Sequence, residues 1–219
     1  GVLRRELDSV RALELFLDTG LDLVCRQLAL PRPFAGNPRA YVLVECAAGT
    51  DPAAALAAAV AGLGTVADAA VASDGAQARA LWRYREGHTE AINQLGPPHK
   101  LDVSLPADRL GAFVAAVPER VAGVDTNARV WLFGHAGDGN VHVNVSGVDP
   151  GDDRITDCVL RLVVEMHGSI SAEHGIGTAK RPWLHLVRSA PEIAAYRAIK
   201  RALDPAGILN PHVLLPDAP

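Results

Sequence analysis

Residues 131–144 have the sequence WLFGHAGDGNVHVN, and this stretch decides the fold that we predict. Two short apolar runs flank a glycine-rich turn, and Asp-Gly is a favoured pair for a two-residue β-hairpin turn. If residues 138–139 form the turn, His135 lies directly opposite His142, where Cβ atoms are about 4.5–5.5 Å apart. Asn144 shares the face of His142, because side chains alternate along a strand. The sequence therefore predicts a hairpin that carries two adjacent imidazoles.

Two imidazoles so placed can bind one metal ion, because a zinc–nitrogen bond is only about 2.0–2.1 Å long. The alternative is that both histidines are polar residues on a sheet face. A phosphate-binding loop is disfavoured, since the glycines of residues 134–139 do not match GxGxxG and no helix is predicted directly after them. We therefore interpret His135 and His142 as a metal or catalytic pair.

A second glycine-rich segment, at residues 168–177, has the sequence GSISAEHGIG. Glu173 can supply a third ligand, which gives a set of two histidines and one carboxylate with an open position, as in catalytic zinc sites. His174 then lies beside the metal as a candidate base, since an unperturbed imidazole pKa of about 6.5 suits proton transfer at neutral pH. The alternative is an ordinary Glu-His pair in a surface loop.

The rest of the chain combines helical periods with apolar runs of strand length. Helices are predicted over residues 5–29, 51–62 (with Asp51 as N-cap), 76–95, 108–121, 152–167 and 191–203, and Pro118 is expected to end or kink the fourth. Strands are predicted over residues 41–47, 66–73, 100–105 and both arms of the hairpin, with an extended stretch at 209–216. This order is typical of an α+β domain with an antiparallel or mixed sheet and helices packed on one face.

We divide the chain into three parts. Residues 1–40 form an N-terminal helical segment and connector, residues 41–195 a substrate- and metal-binding α+β domain, and residues 196–219 a C-terminal helix and tail. The chain begins at Gly1 without a methionine, and we expect it to be a piece of a longer protein.

Composition and charge argue against several classes of protein. The formal charge is −4 with no basic cluster, which disfavours nucleic acid as a partner because phosphate binding needs a basic face. No run approaches the roughly 18 apolar residues of a membrane span. The three cysteines are dispersed and form no CxxC pair, which is typical of a reduced, cytoplasmic protein.

The motifs together resemble a known family. The hairpin, the Glu-His loop and LDPAGILNP at residues 203–211 are similar to the C-terminal domain of FAD-linked oxidases of the vanillyl-alcohol oxidase superfamily. Within that superfamily, the resemblance is to the branch of D-2-hydroxyglutarate and D-lactate dehydrogenases and the glycolate oxidase FAD subunit. It extends from about Tyr41 to the C-terminus. Two positions depart from it, since His167 and His212 stand where glycine is common in the family.

The resemblance implies a metal site and a base. In that branch the two hairpin histidines and the glutamate bind a divalent metal, usually zinc, which assigns His135, His142 and Glu173 as ligands. The histidine that follows the glutamate, His174, is the implied general base. Nitrogen and oxygen ligands discriminate poorly among divalent metals, so manganese, iron and cobalt stay open beside zinc.

The resemblance also implies substrate and cofactor contacts. Arg85, Thr89 and Lys100 correspond to residues that hold carboxylate, and Asn144 to one that touches substrate. Arg85 and Thr89 are four residues apart, on one face of the predicted helix. Without the resemblance, a solvated helix face and an exposed lysine would be the better interpretation. Asn210 lies in the C-terminal stretch that, in the family, returns towards the flavin.

The implied activity is oxidation of a D-2-hydroxy acid, 2-hydroxyglutarate-like or lactate-like, to the 2-keto acid by hydride transfer to FAD. The family holds its FAD mainly on an N-terminal domain that is not in this sequence, so we expect the chain alone to be inactive. Its expected partners are the substrate, that FAD domain and an electron acceptor, and a homodimer stays open. Two other functions remain as alternatives: a metal-dependent hydrolase, and a non-catalytic domain that binds carboxylate or metal.

Overall fold

The computed structural model describes residues 9–47 and 52–216. The strands of this part of the chain are Val10–Leu17 (β1), Ala40–Cys46 (β2), His99–Ser104 (β3), Arg129–His135 (β4) and Asn140–Ser146 (β5). The helices are Asp18–Gln27 (α1), Pro52–Ala61 (α2), Gly75–Asn93 (α3), Leu110–Ala122 (α4), Asp153–Glu165 (α5) and Ala190–Leu203 (α6), with a 3₁₀ helix at Arg181–Leu186. The strands form one sheet in the order β2–β1–β4–β5–β3, and every neighbouring pair is antiparallel.

Hydrophobic cores lie on both faces of this sheet. On one face, Val143 of β5 belongs to a cluster with Val117 of α4 that extends to α5. On the other face, Phe133 of β4 packs in a cluster with Val24 of α1 that extends to α3. Phe133 pairs with His142, the neighbour of Val143, so the two clusters are on opposite sides. The prediction of an α+β domain with an antiparallel sheet is confirmed, but helices cover both faces rather than the one we predicted.

The prediction of a helix over residues 5–29 is wrong over residues 10–17, and residues 5–8 lie outside the described residues. Val10–Leu17 is a strand that lies between β2 and β4, and the helix begins only at Asp18. A strand that is enclosed on both faces carries apolar residues on both, here Leu13 and Phe16 among others, and their spacing resembles a helical period. Residues 10–27 are therefore part of the same sheet and core as the hairpin.

Three further differences concern local structure. Residues 66–73, which we predicted to be a strand, form no regular element and are mostly exposed. No strand among the described residues pairs with them. Helix α4 continues through Pro118 to Ala122. The tail at 209–216 contains bends and turns, and the Leu214 N–H donates to the carbonyl of Gly177 at 3.0 Å.

The N-cap predicted at Asp51 lies outside the described residues. Among the helices that the structure describes, none combines the length and apolar character that crossing a bilayer requires.

Candidate metal and substrate site

The β4–β5 hairpin has a longer turn than the sequence predicted. Phe133 pairs with His142, so the same register continued places His135 opposite Asn140 and leaves residues 136–139 as the turn. His135 therefore lies diagonally from His142, two positions along β4, rather than directly opposite. Both side chains still point to the same face, because a shift of two residues conserves the face.

A contact from outside the hairpin accounts for the longer turn. The N–H of Leu105, just after β3, donates to the carbonyl of Gly139 at 2.8 Å. Gly139 has a φ of +71°, and a Cβ at this position would lie 2.1 Å from the Leu105 carbonyl oxygen. Glycine is therefore required here for its left-handed backbone and for the close approach of β3.

The sequence-predicted metal ligands lie together. One ligand atom from each of His135, His142 and Glu173 lies within 4.8 Å of the other two. His135 Nε2 is 3.4 Å from Glu173 Oε1, and the two imidazole centroids are 5.3 Å apart. Donors bound at about 2.0–2.1 Å to one tetrahedral zinc are roughly 3.3 Å from each other. The three residues thus fit a divalent ion after small side-chain movements.

Each histidine has a buried carboxylate directly across the sheet. Glu14 of β1 is paired in register with His135, and its Oε1 is 2.8 Å from His135 Nδ1. Asp102 of β3 is paired with His142, and its Oδ1 is 3.4 Å from His142 Nδ1. Metal-binding histidines almost always give their second ring N–H to a carboxylate or carbonyl. With Nδ1 of His135 engaged in this way, its Nε2 is left for a metal. Asp102 Oδ1 lies beside His142 Nδ1 but makes no hydrogen bond with it.

Burial and charge keep His142 neutral. Burial lowers the pKa of His142, and the positive charge of Arg85 lowers it further, while the carboxylate of Asp102 opposes both effects. A neutral imidazole has a free lone pair, which is the form that binds metal.

Asp102 also anchors the Glu-His loop. Its Oδ2 accepts hydrogen bonds from the backbone N–H groups of Glu173 at 2.7 Å and His174 at 3.3 Å. Burial alone would raise the pKa of Asp102, but these N–H groups, with the charge of Lys180, hold the pKa below its usual range. Asn140 donates from Nδ2 to Glu173 Oε1 at 2.7 Å. The loop is therefore attached to both β3 and β5, with the imidazole of His174 exposed.

The substrate-binding candidates occupy the same side of the sheet. Lys100 is exposed on β3 and pairs directly with the buried Asn144 of β5. Both lie two positions from the Asp102–His142 pair, about 6.6–7 Å along the strands. Arg85 of α3 is only 8% exposed, and its guanidinium carbon is 4.8 Å from the Phe133 ring centroid.

The remaining candidates are more peripheral. Thr89 is exposed one turn after Arg85 on α3. Asn210 is exposed in the C-terminal tail with a φ of +47°. His167 has a φ of +60° just after α5, which explains why glycine suits this position. Neither His167 nor His212 belongs to the ligand cluster found among the described residues.

Glu14 and Asp102 were not predicted from the sequence as part of the site. Glu14 is the one charged residue in the run from Ala12 to Leu17, and it is 4% exposed. Asp102 is two residues after Lys100 in β3, between the apolar residues Leu101 and Val103. An isolated carboxylate in such a run was the available signal, because burying a charge is costly without a partner.

Comparison with known proteins shows which family the chain belongs to. Residues 4–214 match the family model described as FAD linked oxidases, C-terminal domain. The chain is 40% identical to a D-2-hydroxyglutarate dehydrogenase of Xanthomonas citri pv. viticola over 96% of its length. It is 35% identical to a mitochondrial D-2-hydroxyglutarate dehydrogenase of Arabidopsis thaliana over 97% of its length. It is 34% identical to a D-2-hydroxyglutarate dehydrogenase of Stutzerimonas stutzeri over 91% of its length.

The chain spans 47%, 39% and 46% of these three relatives, respectively, which is less than half of each. The match of the family model covers almost all of the chain, including every strand of the sheet and the three candidate metal ligands. The chain therefore belongs to the FAD linked oxidases, as a C-terminal domain of that family.

Proposed function

We propose that this chain is the substrate- and metal-binding part of an FAD-dependent dehydrogenase that oxidises a D-2-hydroxy acid to the 2-keto acid. The observation that carries the proposal is the convergence of His135, His142 and Glu173 on the sheet face that also presents Lys100 and Asn144. Family membership supports the flavin. The names of the relatives favour a 2-hydroxyglutarate-like acid over a lactate-like one.

The proposed metal is a divalent ion, with zinc as the first expectation, held by His135, His142 and Glu173. When bound, such an ion lowers the pKa of a substrate hydroxyl and stabilises the negative charge that develops on its oxygen. Glu14 and Asp102 place a carboxylate beside Nδ1 of His135 and His142, at 2.8 Å and 3.4 Å respectively. The mixed nitrogen and oxygen donors suit Mn²⁺, Fe²⁺ or Co²⁺ as well.

We propose that the substrate carboxylates bind to Arg85 and Lys100. The Nε of Arg85 donates to Glu14, and among the described residues this is the only hydrogen bond of its guanidinium. The two terminal nitrogens can therefore donate to a carboxylate, with Thr89 assisting from the next helical turn. Lys100 adds a second positive charge beside Asn144, which favours an acid with two carboxylates.

His174 is proposed to accept the hydroxyl proton on a ring nitrogen. Its backbone N–H donates to Asp102, which holds the loop of Glu173 and His174 in place, and its imidazole is exposed. The flavin, on a domain outside this chain, supplies the redox chemistry by accepting a hydride.

The flavin side of the chain is proposed to be residues 196–219, with Asn210. Large apolar side chains there are strongly exposed, Leu203 at 78% and Ile208 at 75%, and a covering domain would remove them from water. The electron acceptor, a homodimer and a cytoplasmic location stay predictions, and the Arabidopsis thaliana relative is named as mitochondrial.

The deciding experiment combines metal analysis with turnover in the intact protein. Wild type is compared with the double variant His135→Ala, His142→Ala, and with the exposed His185→Ala as a control outside the ligand cluster. D-2-hydroxyglutarate, D-malate and D-lactate are assayed with an artificial electron acceptor. We expect near-stoichiometric metal and flavin reduction in wild type and the control, and loss of both in the double variant. Ester hydrolysis without flavin reduction would contradict the proposal in favour of a hydrolase.

A further inference from the structure

Glu14 lies between the candidate metal site and the candidate substrate site. It is buried, with 4% of its surface exposed, and both of its carboxylate oxygens have partners. Oε1 lies 2.8 Å from His135 Nδ1, and Oε2 accepts a hydrogen bond from Arg85 Nε at 2.7 Å. One carboxylate thus contacts a proposed metal ligand and a proposed substrate-binding side chain at once.

We propose that Glu14 is a positioning residue that fixes the ring tautomer of His135 and the orientation of Arg85 together. The inference rests on the proposed function, because it assigns what Glu14 does for that site. An ionised carboxylate only accepts hydrogen bonds, so His135 must carry its proton on Nδ1. The Nε2 lone pair then faces Glu173, whose Oε1 is 3.4 Å away.

The same carboxylate sets the plane of the Arg85 guanidinium. Its Nε is held by Glu14, and its guanidinium carbon lies 4.8 Å from the centroid of the Phe133 ring. These two contacts leave the terminal nitrogens to donate elsewhere. If Glu14 served only to neutralise the buried Arg85, we would expect a bidentate pair in which its two oxygens accept hydrogen bonds from two guanidinium nitrogens. Glu14 gives Arg85 one oxygen and His135 the other, which indicates a positioning function.

The test uses Glu14→Gln in the intact protein, because glutamine conserves size but offers one acceptor oxygen and one NH₂ donor. The charged Arg85 makes the stronger bond, so the oxygen should stay with Arg85 and the NH₂ should face His135. A donor there moves the imidazole proton to Nε2, where the metal-binding lone pair would be. We expect the affinity for Zn²⁺, measured by chelator competition, to fall about 10- to 100-fold.

A second readout needs no metal and no activity. Nitrogen-15 NMR of histidine in the metal-free protein distinguishes the Nδ1–H tautomer from the Nε2–H tautomer. His135, assigned by comparison with His135→Gln, should be Nδ1–H in wild type and Nε2–H in Glu14→Gln. An Nε2–H tautomer in wild type would overturn the inference even if the variant failed to fold.

The matched control is Glu45→Gln. Glu45 is also a strand glutamate bonded to α3, where it accepts from Trp82 Nε1 at 2.8 Å, but it lies on β2 and outside the ligand cluster. It should leave metal affinity, tautomer and KM unchanged.

Three results separate the inference from the proposed function. A raised KM in Glu14→Gln with unchanged metal affinity would mean that the oxygen stays with His135, and it would still support positioning of Arg85. Unchanged metal affinity, tautomer and KM would overturn the inference, while turnover by wild type upheld the proposed function. If wild type bound no metal, the proposed function would fail, and the tautomer of His135 would decide the inference separately.

Discussion

The two carboxylate–histidine pairs of the site are alike in position and different in their other contacts. Glu14 and Asp102 are each 4% exposed, and each is paired in register with a hairpin histidine. The contact of Glu14 with His135 is short, at 2.8 Å, whereas that of Asp102 with His142 is 3.4 Å. Glu14 uses its second oxygen for a side chain on α3, and Asp102 uses its second oxygen for the backbone of the Glu-His loop.

This difference indicates that the two sides of the site have separate functions. The Glu14 side connects the proposed metal ligands to Arg85, and so to substrate binding. The Asp102 side connects them to Glu173 and His174, and so to proton transfer. Variants on the Glu14 side should therefore change substrate and metal affinity, and variants on the Asp102 side should change the rate of the chemical step.

The largest expected effect is that of His174→Ala, on the Asp102 side. Loss of a general base should lower kcat by about 10²- to 10⁴-fold. Metal content should stay at the wild-type value, because His174 is outside the ligand cluster. Steady-state kinetics and metal analysis of the intact protein test this, with the exposed His167→Ala as control. Turnover at the wild-type rate would remove His174 from the mechanism.

A smaller effect should separate Asp102→Ala from Glu14→Ala. With metal kept saturating, Asp102→Ala should lower kcat about 100-fold, because the loop that carries Glu173 and His174 loses its anchor and misplacement by about 1 Å costs that much. Glu14→Ala should instead mainly raise KM, since it releases Arg85. If both variants changed kcat and KM to the same extent, the assignment of separate functions would be contradicted.

The smallest expected effect concerns stability, at a histidine behind the Glu14 side. His88 of α3 is fully buried, its Nδ1 is 3.1 Å from the carbonyl of Arg85, and burial lowers its pKa to about 4. Since the unfolded pKa is about 6.5, the unfolded chain binds the extra proton between these values. The free energy of unfolding is therefore unaffected by His88 above about pH 6.5. It decreases as the pH falls from 6.5 towards 4, and is lower by about 2 kcal/mol at pH 5.

Urea unfolding at pH 7 and pH 5 measures this dependence. Wild type should lose more stability between the two pH values than His88→Gln does, by about 2 kcal/mol. The exposed His185→Gln should behave as wild type. An equal loss in wild type and His88→Gln would show that His88 does not titrate as its burial implies.

Much of the site was predictable because its residues lie in local patterns. His135 and His142 flank a glycine-rich turn, and Glu173 lies in a second glycine-rich segment. Each could therefore be predicted as a candidate metal ligand from the sequence. The antiparallel hairpin followed from the same turn. Helix α6 was predictable as well, and Ser189 and Glu192 form a capping box at its start.

The register of the hairpin was not predictable from its own sequence. Asp-Gly favours a two-residue turn, yet Leu105 of another segment binds the Gly139 carbonyl and the turn has four residues. The strand character of residues 10–17 was hidden for a related reason. A strand covered on both faces has no polar alternation, so only pairing with β2 and β4 distinguishes it from a helix.

The sequence by itself determined which residues are chemically able to bind a metal, because alternation along a strand and glycine in a turn act over a few residues. Only the tertiary structure decided which side chains support them. Glu14 and His135 are 121 residues apart, and Glu173 and Asp102 are 71 apart. Their contacts depend on strand order, which arises from burying both faces of one sheet, and no local pattern encodes that order.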